Sequence, residues 1–225
     1  MKYILTLLFL FLSAGTYAQS QDFKKPDFDL IEKNSTDKKS PLHYDKLFDR
    51  FNRADSTMTI EERRHLYYGY SFRDDYSPYG SSDAQEELNE ILQTGDTGKE
   101  TLEKLLKATE KVLKDNPFSI RLREYRIFAF KELGMLKESS DEELRASIII
   151  DAILSTGDGT SPETCFYVIN TGNEYEIIDL LGFEFGGTQE LTQDVQDYLT
   201  LAENSYNIEG LYFDVTRLFS AFKED

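Results

Sequence analysis

Apolar residues recur at helical spacing from Pro41 to about Leu154 and alternate after Thr156, so the chain changes period once. Leu42, Leu47, Phe48 and Phe51 share a helical face, with Pro41 at a favoured first-turn position. Thr59-Ile60-Glu61-Glu62 is a capping box that opens a second helix through Leu66 and Tyr67. Residues 71–82 read as a loop, and Gln85–Leu92 as a short helix closed by Thr94-Gly95-Asp96-Thr97-Gly98. Leu102, Leu105, Leu106, Thr109, Val112 and Leu113 mark an amphipathic helix that Asn116-Pro117 stops. Pro117, Phe130 and the closing Leu133-Gly134 resemble the first helix of a tetratricopeptide hairpin. The partner helix is predicted from about Asp141 to Leu154. It lacks the Ala-x3-Phe spacing, and the turn before it reads as too long, so generic hairpin packing is the competing reading.

After Thr156 the alternation predicts strands at Cys165–Asn170, around Tyr175, Ile177 and Leu181, at Val195–Ala202 and at Ile208–Val215. Thr171-Gly172-Asn173 reads as a hairpin turn, and Gly182 and Gly186-Gly187 as terminators. Leu218–Phe222 reads as a short helix or a continuation of the last strand. The predicted fold is α+β: helical hairpins packed on a C-terminal four-stranded antiparallel meander, with 41–155 and 156–225 forming one integrated domain.

The chain before residue 41 has a different character. Lys2, the apolar run Tyr3–Leu12 and the small residues ending at Ala18 follow the order of a secretory signal, with cleavage expected after Ala18. The apolar run is far short of the roughly 20 residues that span a bilayer, so no stable membrane anchor is expected. No Cys stands at the cut, which points to a free periplasmic or secreted protein. Residues 19–40 are polar, with Pro26, and read as a tether or loosely packed arm that Phe23 and Phe28 could dock.

Charge narrows the partners. The chain carries 25 basic and 42 acidic residues, a net charge of −17. Residues 156–225 hold 14 Asp/Glu against Arg217 and Lys223, a difference of −12. Such a surface repels phosphate backbones, so no nucleic-acid partner is expected. A basic partner or a cation suits it, and a solubilising face is the plainer reading. Cys165 is the single cysteine, so no internal disulfide can form. It reads as a small buried hydrophobe.

Reactive constellations are missing from the sequence. There is no His-x-x-x-His, cysteine pair, calcium-loop spacing, Gly-x-Ser-x-Gly elbow, dinucleotide motif or P-loop, and the two histidines are His43 and His65. No cofactor or metal is expected. Asp158, in Gly157-Asp158-Gly159-Thr160, lacks the other oxygen ligands that calcium needs and reads as a turn residue. Paired carboxylates could hydrolyse glycosides, but 42 acids provide no way to choose two. The unusual local feature is aromatic: Tyr67, Tyr68, Tyr70, Phe72, Tyr76 and Tyr79 fall within one short segment. Tyrosine joins a large apolar face to a hydrogen-bonding tip, so these residues and Asp158 form the candidate binding surface. The competing reading is that they staple the loop to the helices.

The Leu66–Tyr79 segment, Thr156–Thr160 leading into Thr164–Asn170, Glu174–Phe183, Asp197–Asn204 and Ile208–Val215 together resemble a family of exported Bacteroidota proteins known only as a domain of unknown function. The resemblance spans most of the chain after the signal. It implies a bacterial envelope setting and supplies no activity. The function expected is a non-enzymatic exported protein that binds a protein or peptide. The alternatives are a hydrolase of envelope or dietary polymers using acidic residues, and a small-ligand or glycan binder with tyrosine walls.

Overall fold

The computed structural model describes residues 23–78 and 84–220. The expected export signal, residues 1–18, lies outside the described residues.

Helix α1 (Phe28–Thr36) starts where Asp27 accepts a bond from the Leu30 amide. Ile31 is buried, and the Phe28 ring meets Tyr68 edge-on at 5.8 Å. Lys24 donates its backbone N–H to Ser155, and its carbonyl accepts from Arg64. The described part of the expected loose arm is therefore packed, because Pro26, Phe28 and Ile31 face inward while Leu30 stays exposed.

Helix α2 (Tyr44–Asn52) buries Tyr44, Leu47 and Phe51, one stripe at i, i+3 and i+7. Helix α3 (Ile60–Gly69) begins with both bonds of the Thr59–Glu62 capping box in place and ends in a 3-10 turn, Tyr70–Phe72. Then come α4 (Ala84–Thr94), α5 (Lys99–Asp115), α6 (Ile120–Glu132) and α7 (Leu136–Leu154). Only residues 133–135 separate α6 from α7, so this turn is shorter than the sequence suggested: Leu136 to Ser140 join the helix before its apolar stripe begins.

The C-terminal part departs from the expected meander. Strand β1 has only two residues, Phe166–Tyr167, and pairs in parallel with β4 (Gly210–Asp214). Strands β2 (Phe185–Leu191), β3 (Gln196–Leu201) and β4 are antiparallel neighbours, in the order β1-β4-β3-β2. Residues 171–180 form helix α8 (Thr171–Leu180), not a turn and a strand. Two causes are visible. The Asn170 side chain accepts from the Gly172 amide and caps a helix start. Ile177 and Ile178 are both buried, which adjacent positions on a one-faced strand cannot achieve. Gly186 and Gly187 do not end a strand but lie within β2, where the register with β3 shifts. Gly187 takes φ +97°, a left-handed value that a side chain would resist. Helix α9 (Thr216–Ser220) closes the described chain.

Two cores hold these elements. The larger runs from Ile31 through α2, α3 and α7 to Ile177, Leu199, Phe213 and Leu218, so helices and sheet share one interior. The smaller joins α4, α5 and α6 through Leu88, Leu105, Val112 and Leu122.

Candidate functional site

Most of the aromatic segment lies in the larger core. Tyr67 and Tyr68 are completely buried. The Tyr67 hydroxyl donates to Asn173 Oδ1 at 2.7 Å and accepts from the Ile169 amide at 3.2 Å. The Tyr68 hydroxyl reaches the Tyr167 carbonyl, and the half-buried Tyr76 donates to the Ile169 carbonyl at 2.7 Å. Tyr70 stacks near Tyr44 and meets Phe118 edge-on. Burial raises all three phenols of Tyr67, Tyr68 and Tyr70, the last to about 12. Tyr67, Tyr68 and Tyr76 staple α3 and the loop after it to β1 and the segment that follows, and the aromatic cluster is largely buried. Phe72 lines a cavity of about 410 Å³ beside Tyr44 and Arg73, and its ring also lies 4.1 Å below the Arg217 guanidinium. Tyr79 lies outside the described residues.

Asp158 is exposed and works within its own loop. Its Oδ1 accepts from the Thr160 amide and hydroxyl and from the Thr164 hydroxyl. Those bonds hold its carboxyl below the usual range against some burial. At the preceding Gly157 a Cβ would lie 1.9 Å from the Thr164 carbonyl oxygen, so the loop closes only with glycine there.

Three polar constellations that the sequence did not single out meet around α6 and α8. Glu176 reaches from α8 to the start of α6 and accepts from the Ser119 hydroxyl and the amides of Ile120 and Arg121. It supplies a carboxylate where a helix exposes unpaired N–H groups. Asn173 links it to Tyr67.

Glu174, one helical face away, is also completely buried. Read as a carboxylate, its Oε1 finds no donor. Burial, then the neighbouring Asp197 carboxylate, pushes its pKa up to about 9, and the neutral acid hydrogen-bonds Asp197. Gln189 of β2 joins the group, donating to Asp197 at 2.6 Å and accepting from the Tyr175 hydroxyl at 2.6 Å. A general acid must touch its substrate, and Glu174 is sealed. The arrangement binds the β2–β3 hairpin to α8.

The third group is cationic. Glu142 of α7 accepts from Arg123 at 2.6 Å and Arg126 at 2.8 Å, and Arg145 lies 3.2 Å away. Burial alone would raise Glu142, yet the three arginines hold it below the usual carboxylate range. Arg123 is lowered to about 10 by burial, against the pull of Glu142. The i, i+3 pairs Arg123/Arg126 and Glu142/Arg145 on consecutive helices were a legible signal.

One surface element stands out by geometry. All seven residues of β2 are exposed, and the strand lies at the outer edge of the sheet. Phe185 and Leu191 stand out at its two ends, with Tyr175 stacked edge-on against Phe185 at 5.3 Å. The Thr192 amide bonds to the Gln196 carbonyl and Glu190 stands opposite Tyr198, so strand alternation turns the backbone groups of Gln189 and Leu191 outward. Among the described residues no group of His, Cys, Asp and Glu side chains could hold a metal ion, and no helix is long and apolar enough to cross a membrane.

The described residues thus define an α+β domain of N-terminal helices and a small open C-terminal sheet. A family profile described as Domain of unknown function (DUF4919) matches residues 29–223, and the chain belongs to that family. No curated protein and no solved structure matches it.

Proposed function

We propose that this is a non-enzymatic exported protein that binds another protein by accepting an extended, basic segment along the outer edge of β2. The observation that carries the reading is the seven-residue exposed edge strand. Unpaired backbone groups on an edge are a template for strand addition, and natural proteins usually guard such edges with lysine or proline. Strand β2 contains neither residue, though its Gly186-Gly187 bulge shortens the regular edge to the stretch near Gln189–Leu191. The surrounding segment, with its difference of −12 over 156–225, favours a basic occupant. Export rests on the Lys2–Ala18 pattern, and the bacterial envelope setting on the resemblance described above. The hairpin of α6 and α7, with its tetratricopeptide-like Pro117, Phe130 and Leu133-Gly134, agrees with a scaffold for partners.

Calorimetric titration with synthetic peptides of alternating valine and lysine tests the reading. Such peptides should bind, with affinity that weakens as salt rises. Leu191→Pro removes an outward amide without touching the β3 ladder and should abolish binding. Equal binding by that variant, or by an acidic counterpart peptide, would sink the proposal.

A further inference from the structure

The cationic constellation lines a cavity of about 460 Å³ at the meeting of α2, α5, α6 and α7. That volume lies within the roughly 300–1,000 Å³ typical of small-ligand sites. Lys114, Arg123, Arg126 and Arg145 line it against Glu110 and Glu142, four cations to two anions, in a chain whose net charge is −17. Internal pairing leaves donors over. Glu142 and backbone carbonyls occupy most of the guanidinium nitrogens, with Arg145 bonded to the Asn52 carbonyl at 2.6 Å and Arg126 to that of Leu106 at 3.0 Å. Arg123 Nε, on a side chain only 6% exposed, has no hydrogen-bond partner among the described residues. Lys114 forms no ion pair or hydrogen bond among the described residues. The lining also includes the apolar side chains of Phe48, Leu113 and Pro117.

We infer that this cavity is a binding site for a small organic anion, an apolar body carrying one carboxylate or phosphate. Guanidinium groups held by fixed acceptors lose little side-chain freedom when they meet a planar or tetrahedral anion. Phe48 and Leu113 bury the apolar body, and Lys114 at the exposed rim adds a mobile charge. The inference is independent of the β2 edge, which is built from other elements.

Phenyl phosphate and phenylacetate serve as the two anionic probes, inorganic phosphate and benzyl alcohol as controls, each titrated into the full chain by calorimetry. At least one anionic probe should bind saturably and at least tenfold more tightly than either control. Lys114→Glu, a change at an exposed position, should weaken that probe at least tenfold. Phe48→Leu should erode the preference over inorganic phosphate. Phenylacetate binding alone would identify a carboxylate ligand, and phenyl phosphate alone a phosphate monoester. No saturable binding by either, equal binding of benzyl alcohol, or an unchanged affinity in Lys114→Glu with an unchanged circular-dichroism spectrum would overturn it.

Discussion

Single side chains in this protein carry opposite burdens according to what surrounds them. Glu174 and Glu176 lie two positions apart on α8, yet one is a neutral donor and the other accepts three or more bonds at a helix start. The neutral one makes stability depend on pH. Folded Glu174 keeps its proton to about pH 9, whereas the unfolded side chain releases it near 4.5. The folded chain therefore holds the extra proton between those values. Its contribution is complete below 4.5 and is lost as pH rises toward and through 9, with a slope approaching about 1.4 kcal/mol per pH unit. Glu174→Gln keeps a donor for Asp197 and cannot ionise. Urea titrations at several pH values should show the variant gaining on the parent as pH rises. Tyr67→Phe tests the staple, since it strips the Asn173 and Ile169 bonds at once. Urea denaturation should show a loss of about 1–3 kcal/mol, while titration with the basic peptides should remain unchanged.

At the scale of elements, α8 is the joint. Its Glu176 caps α6, its Asn173 meets α3, and its Glu174 meets β3. Glu176→Ala would leave buried donors at the α6 start without an acceptor, and denaturant titration should register a loss of about 3 kcal/mol. This joint is also where the sequence was least legible. Helix α3 announces itself by its capping box and α2 and α5 by apolar positions three and four apart, while α6 is read from Pro117, Phe130 and Leu133-Gly134, signals that are local. Residues 171–181 offer a short apolar run that fits either period, and a single cap at Asn170 decides it. The parallel pairing of β1 with β4 joins residues some 47 positions apart, Phe166 with Phe213, and no local pattern encodes it. Burial of the tyrosine segment and convergence of Arg123, Arg126 and Arg145 on Glu142 depend likewise on how helices pack, although the spacing of those charges was visible.

The whole molecule is unevenly secured. Helices α1, α2, α3 and α7 share the larger core with the sheet, while α4 and α5 rest on α6 through the smaller one. Side chains reinforce the attachment in the second half of α5, where Arg126 bonds the carbonyl of Leu106 and the hydroxyl of Thr109, and Tyr70 donates to the Asp115 carbonyl. Amide hydrogen exchange should therefore show α4 and the first half of α5 opening at least about tenfold faster than α3 and α7, as expected for elements with few buried partners. Equal protection across all four helices would mean that the two cores open together.

The loop between α4 and α5, residues 95–98, is exposed throughout. It lies at the other end of α5 from Lys114, about 24 Å along the helix at 1.5 Å per residue. An affinity tag or dye inserted there would load only the lightly secured hairpin. It would provide a handle for tethering the protein to a surface with both the β2 edge and the arginine-lined cavity left open to ligands.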